Sequence, residues 1–312
     1  MKDQSWSVAI FTSRETPELL AAAITAAEIA CAGVPSTIDV IVNGNRALAD
    51  AITATIGHSA SSTLRIWFIA LADKSHAWNQ YVETIAPACD VSFFIDGYAR
   101  LAADSLRLIA RTLAENSEAW AASGVPTVGR SAKHLRGRMQ SEGGIHGNLY
   151  ALRGSTLALL KAKGFRFPLG MYRNDPLLGA VVCFSGDPGA HRWNAKRLAV
   201  VPAATWTNDT LRLTRWSSIV TQWKRVQRQA QGVLENAAVR QHLALDRLLP
   251  ETLPRTAAEL VARWRAAHPD EARALLRHPL RRRAARELAL RRDWSLAKRA
   301  PELLRERKGG LR

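Results

Sequence analysis

The stretch "VSFFIDGYARLAADSLRLIA", Val91 to Ala110, decides the fold. Val91 to Ile95 is a short apolar, aromatic-rich run of strand length, and Leu106, Ile109, Ala110 and Leu113 then recur at helical spacing. Asp96 therefore falls on a strand-to-helix junction. In open α/β sheets, ligands gather at such junctions, beyond the carboxyl ends of the strands. Asp-Gly is also a common turn pair, so the local residues leave a turn-forming role for Asp96 and Gly97 open beside a ligand-binding one.

Upstream, "WSVAIF" (6–11) is a run of the same kind. Thr16 follows as a helix N-cap, with Pro17 at the first helical position and an Ala/Leu/Ile-rich helix ending near Gly33. "TIDVIV" (37–42) and "LRIWFIAL" (64–71) add two strands with helix-like segments between them. This alternation predicts an α/β fold, with a mostly parallel central sheet and helices on both faces.

Downstream, "AWAASGVP" (119–126) and "GIHGNLYAL" (144–152) read as strands, and "STLALLKAKG" (155–164) as a helix ending on Gly164. "RLAVVPAATW" (197–206) reads as a late strand that Pro202 either places at an edge or breaks. The basic segment "TVGRSAKHLRGRMQSEGG" (127–144) has no apolar period and is expected to be a mobile loop.

From about Leu211 helix formers dominate. The expected division is residues 1–210 as an α/β domain and 211–312 as a helical, strongly basic C-terminal extension. Thr256 and Glu259 make a capping box, and Leu260, Val261 and Trp264 form one apolar stripe. Residues 251–312 carry 17 Lys and Arg against 8 Asp and Glu.

The whole chain of 312 residues has 44 Lys and Arg against 27 acids, a net +17, which favours polyanionic partners: nucleic acid, nucleotide phosphates or an anionic membrane surface. Cys31, Cys89 and Cys183 are widely spaced, with no C-x-x-C pair to suggest a disulfide framework or a zinc site. The first residues lack the apolar core of a signal peptide, and no run approaches eighteen apolar residues. A cytoplasmic location is expected.

Taken together, four segments resemble the family 2 glycosyltransferases, which have the GT-A fold. "VAIFTSRETPELL" is similar to that family's opening strand and nucleotide loop, and "LADKSHAWNQYVE" to its next helix start, with Lys74 and Asn79 at matching places. "FFIDGYARLAADSL" falls where the family has its Asp-x-Asp strand end, and "GIHGNLYALRGSTLALLKAKGF…NDPLLG" resembles the acceptor-side strand, helix and acidic pair.

The resemblance implies transfer of a sugar from a nucleotide diphospho-sugar to an acceptor hydroxyl, with inversion. It assigns donor binding to Thr12, Arg14, Glu15, Asn43, Lys74, Asn79 and Asp96. His146, Gly147 and Asn174 fall on the acceptor side, and Asp175 is the base. It also implies a divalent ion, Mg²⁺ or Mn²⁺, on Asp96. The Asn-Asp-Pro of 174–176 serves equally as an ordinary first turn of a helix.

Several positions depart from the family pattern. Tyr98 stands in place of the second acid, Asn43 in place of the strand-two aspartate, and "TWTND" where a late metal-binding histidine is expected. A phenol stays protonated up to about pH 10, so Tyr98 does not replace a carboxylate as a cation ligand. Either Asp96 holds the ion with water and phosphate oxygens, or basic residues take its place. The loop cations Arg130, Lys133, Arg136 and Arg138 are candidates for that, with an ordinary solvated surface as the alternative.

His134 reads as surface. "RLTRW" (212–216) resembles the Gln-x-x-Arg-Trp signature of processive synthases, with Arg212 at the glutamine position. Trp206, Trp216 and Trp223 read as packing residues or as a sugar-stacking groove.

The expected function is a non-processive glycosyltransferase of surface polysaccharide or glycolipid synthesis, with a sugar or lipid-linked acceptor. Its basic tail would dock on an anionic membrane. A catalytically degenerate scaffold and a basic polyanion- or nucleic-acid-binding protein are the rivals. No helix-turn-helix, RNA-binding aromatic pair or zinc-finger spacing supports specific nucleic-acid binding.

Overall fold

The computed structural model describes residues 4–55, 62–128, 132–208 and 216–309. Its first half runs β1 (Trp6–Thr12), α1 (Pro17–Cys31), β2 (Ser36–Asn43), α2 (Arg46–Thr55), β3 (Thr63–Ile69), α3 (Lys74–Gln80), β4 (Val91–Asp96), β5 (Arg100–Leu101), α4 (Ser105–Glu115) and β6 (Ala121–Pro126). Next come α5 (Ala132–Glu142), β7 (Tyr150–Arg153), α6 (Gly154–Ala162), α7 (Asn174–Cys183) and β8 (Leu198–Thr207). The C-terminal part holds α8 (Trp216–Arg240), α9 (Ala257–Ala267), α10 (Pro269–Leu276), α11 (Pro279–Ala289) and β9 (Glu302–Arg307).

The strands form one sheet in the order β5-β8-β6-β7-β4-β1-β2-β3-β9. Its centre, β4-β1-β2-β3, is parallel. β1 is buried along its whole length, as a central strand covered on both faces must be. The chain moves outward from β1 through β2 to β3 and then returns to the other side of β1 as β4. This reversal makes a topological switch point between β1 and β4, with Phe11 paired to Asp96 at its mouth.

Each face carries its own core. On one, α1, α2 and α4 cover Val8, Ile10, Val40 and Phe93. On the other, α3, α6 and α7 cover Phe11, Ile41, Phe94 and Tyr150. The Thr16 cap forms as expected, accepting the Leu19 N–H at 3.3 Å.

β8 pairs with β6 in parallel and with β5 only at Thr207 and Trp206, so among the described residues no strand covers the outer side of β8 at Pro202. The register shift between Ser123 and Val125 lies opposite the same stretch.

Three expectations need correction. Residues 132–142 form a helix, α5, rather than a mobile loop: Ala132 and Met139 anchor it, and the intervening polar residues are competent helix formers. β7 begins at Tyr150 rather than Gly144, because residues 147–148 turn to bring Leu149 N–H onto the His146 carbonyl at 3.1 Å. The basic extension also supplies a strand, β9, which pairs antiparallel with β3 and covers that sheet edge.

The extension packs into the same core as α3 and α7, through Leu234, Leu260, Trp264 and Leu288. The Thr256 cap holds α9 as expected, accepting the Glu259 N–H at 3.1 Å. The "RLTRW" residues up to Arg215, with Arg130, lie outside the described residues. No helix among those described is long and apolar enough to cross a membrane.

Candidate active site

Asp96 ends β4 at the switch point, and Gly97 is there for space. A Cβ on Gly97 would lie 2.7 Å from the Thr12 Cβ, and its N–H donates to the Phe11 carbonyl at 2.8 Å. The turn-forming reading of Asp-Gly holds, and the close turn leaves the Asp96 carboxylate at the mouth of the switch point beside Thr12.

Lys74, the first residue of α3, donates its ammonium to Asp96 Oδ1. Tyr98 donates its hydroxyl to Asp96 Oδ2 at 3.0 Å and lies 2.9 Å from the Asn148 amide. Burial pushes the Asp96 carboxyl up and the Lys74 ammonium pulls it back only in part. The Tyr98 phenol is pushed far up by burial and by the Asp96 charge, so it is a neutral donor.

Asp175 reaches the same point from α7. Its Oδ2 accepts the Gly147 N–H at 2.8 Å. A Cβ on Gly147 would stand 3.0 and 3.1 Å from the two Asp175 oxygens and 3.1 Å from Lys74 Nζ, so only glycine lets this backbone approach both. One ammonium is thereby paired with Asp96 and also feels the charge of Asp175, a carboxylate from a different element. Asp175 also lies in the first turn of α7, so the ordinary helix-start reading and the cluster are compatible.

The remaining residues divide into those at the cluster and those that brace it. Glu15 Oε2 accepts the Thr12 hydroxyl at 2.6 Å and the N–H groups of Ser13 and Arg14 at 2.8 and 2.9 Å, folding the loop after β1 around one carboxylate. The Glu15 charge bears on both Lys74 and Tyr98, while the Arg14 side chain is exposed. Asn43 is buried between two loops, and with its amide oriented to suit its neighbours it donates to the Thr12 carbonyl at 2.9 Å and accepts from Asp73 N–H at 3.2 Å.

Asn174 accepts the Ser75 hydroxyl at 3.1 Å, tying α7 to α3. Asn79 turns elsewhere: its amide pairs with both backbone groups of Phe167, at 2.9 and 2.8 Å.

His146 accepts the Asn148 N–H through Nδ1 at 3.3 Å, and its ring lies 5.0 Å from that of Trp206. Burial lowers its pKa, leaving a neutral imidazole. Trp206 is itself buried in the core, whereas Trp223 is exposed. Lys133, His134 and Arg138 are exposed on α5 and Arg136 is half-buried there; the Arg138 charge reaches His146.

A cavity of about 260 Å³ opens beside α3, lined by His76, Asn79, Glu83, Arg166, Glu251 and Arg255 among others. None of Glu15, Lys74, Asp96, Tyr98 or Asp175 lines it. The chemistry is therefore assigned to the side-chain convergence and not to that cavity.

No protein-family model and no curated protein matches the sequence. Solved structures do. A mannosyltransferase from Pyrobaculum calidifontis, solved with GDP-Man and Mn2+, superposes with a TM-score of 0.55 at 16% identity, covering 93% of this chain and 85% of that one. The chain has a GT-A-type glycosyltransferase fold. Glucosyl-3-phosphoglycerate synthase from Mycobacterium tuberculosis, solved with Mn2+, UDP-glucose and phosphoglyceric acid, gives a TM-score of 0.44 at 14% identity, covering 73% of this chain and 77% of that one.

Against this fold, the residues of the cluster do not suit a divalent ion as they are arranged. Asp96 has Lys74 on one oxygen and Tyr98 on the other. Among the described residues, no three His, Cys, Asp or Glu side chains are grouped to share an ion.

Proposed function

We propose that the protein is a non-processive, inverting glycosyltransferase that moves a sugar from a nucleotide diphospho-sugar to an acceptor hydroxyl. The carrying observation is the convergence of Asp96, Lys74 and Asp175 at the β1/β4 switch point of a GT-A-type fold. A mannosyltransferase of the same fold holds GDP-Man, which supports a nucleotide-sugar donor.

In this reading the donor diphosphate lies over the loop after β1 and the Lys74 ammonium. The acceptor hydroxyl approaches from the His146–Gly147 side. As its oxygen attacks the anomeric carbon, the bond to the diphosphate breaks and its electron pair leaves with the phosphate. The hydroxyl proton passes to Asp175, oriented for this by the Gly147 N–H. Charge growing on the departing diphosphate is met by a positioned cation, which is where electrostatic stabilisation has most effect.

The acceptor belongs to surface polysaccharide or glycolipid assembly. The exposed arginines of α11 and the segment after it, including Arg282, Arg286 and Arg291, would hold the enzyme on anionic lipid. A thermal-shift screen of UDP-, GDP- and dTDP-sugars, followed by a transfer assay with the donor that raises Tm, tests the reading. No stabilisation by any of them would overturn it.

A further inference from the structure

We infer that Lys74 takes the place of the divalent ion, so that this chain binds and activates a nucleotide diphospho-sugar without metal. The inference rests on the proposed transferase reading and goes beyond it by naming the group that supplies the positive charge.

Three observations carry it. First, Lys74 Nζ already sits on the carboxylate that would ligate an ion, and the Asp175 carboxylate is near enough, across Gly147, for its charge to bear on the ammonium. A divalent ion brought to Asp96 would meet a fixed ammonium within contact distance, and two cations that close repel strongly in a half-buried site. Second, the substitution at Tyr98 fits an ammonium and not an ion. The phenol donates a hydrogen bond to the second Asp96 oxygen, completing that carboxylate's coordination with a neutral group where a second acid would have added charge for a metal.

Third, Lys74 is held from both sides of its own residue. Asp73 caps α3 by accepting the His76 N–H at 2.8 Å and fastens it to Gly170 N–H at 2.9 Å, and Ser75 bonds Asn174 in α7. A positioned cation with little freedom to lose is what transition-state stabilisation asks for. Burial opposes the Lys74 charge, but Asp96 and Asp175 outweigh it and leave its pKa raised, so the ammonium persists at neutral pH.

Chemically, Lys74 stays protonated throughout. Its role is to neutralise the diphosphate that receives the electron pair from the broken anomeric bond, while Asp175 takes the acceptor's proton.

The test measures binding of UDP-glucose, GDP-mannose and dTDP-glucose to the full chain by calorimetry, once with EDTA and once with Mn2+, and repeats it with Lys74→Gln. The expected result is that the sugar nucleotide that binds does so within about twofold in the two buffers. Lys74→Gln should weaken it at least tenfold, while leaving affinity for the matching nucleoside, which lacks phosphates, unchanged.

Binding by the wild type only with Mn2+ overturns the inference and leaves the transferase reading standing. Undiminished binding by Lys74→Gln in EDTA does the same. Should no nucleotide sugar bind in either buffer, both fall. The wild-type comparison stands even if the variant folds poorly.

Discussion

Glu235 of α8 accepts the N–H of Arg173 at 2.9 Å, and that of Tyr172 at 3.0 Å, immediately before the helix that carries Asp175. The carboxylate is fully buried, and Gln231 donates to it at 2.7 Å. A residue of the C-terminal extension thus holds the two backbone N–H groups that lead into α7, whose start the Arg173 side chain does not cap. Glu235→Ala should destabilise the fold by about 1–3 kcal/mol, since the partly buried N–H groups of Tyr172 and Arg173 lose their acceptor. It should also lower turnover through a displaced Asp175. Urea unfolding and a transfer assay below Tm check both, and an unchanged midpoint would show that α7 keeps its position without Glu235.

Asp175→Asn keeps the shape of the side chain and its bond from Gly147 N–H but removes the base. Turnover should fall by roughly 10²–10⁴-fold while donor affinity stays within about twofold. Steady-state rates alongside calorimetric donor affinity measure the split. Near-normal turnover would assign the proton to another group.

The α/β order and the strands through β4 were legible because their apolar runs are short, dense and separated by capping signals such as Thr16-Pro17. Asp96, Asp175 and Gly147 were reachable through the order of weak motifs. What stayed hidden depends on long-range pairing. β9 is a mixed, arginine-rich segment with no strand period, and becomes a strand only because β3 offers a free edge. Glu235 is one acid in a long polar helix, and nothing local marks it as the cap of a helix some sixty residues earlier. Asn79 matches a motif position, yet its amide is engaged by Phe167, a partner that only the folded loop brings to it.

Two histidines away from the cluster contribute to the acid side of stability in the same sense as His146, and against the raised carboxyls of Asp96 and Glu235. Burial lowers the pKa of His76, with Arg166 and Arg255 adding to it, and burial also lowers that of His242. A histidine whose pKa falls on folding leaves the unfolded chain holding the extra proton. Its contribution is therefore complete above the unfolded value near pH 6.5 and is lost as pH falls toward the lowered folded value. Tm measured from pH 8 to pH 5 should decline below about 6.5, and His76→Gln should flatten part of that decline. A variant curve parallel to the wild type would show that His76 does not titrate with folding.

The arginine face tests the membrane proposal. Ala284, Ala285 and Leu288 of α11 are buried in the core and Leu280 packs against it, so the apolar stripe is used internally and cannot insert into lipid. Membrane attachment through this region is then chiefly electrostatic in this reading, carried by exposed side chains such as Arg282, Arg286 and Arg291, with Leu290 the exposed apolar side chain beside them. Each contributes on the order of 1 kcal/mol near an anionic surface, an effect that fades as salt shortens the Debye length. Deleting the tail would remove Leu260, Trp264 and Leu288 from the core, so charge removal is the cleaner perturbation. Replacing Arg282, Arg286 and Arg291 together by Gln should cut sedimentation with phosphatidylserine vesicles by roughly a hundredfold in partition constant at low salt. The wild type should ignore phosphatidylcholine and release from the anionic vesicles as salt rises. Equal binding by wild type and triple variant would rule out this face as the membrane contact.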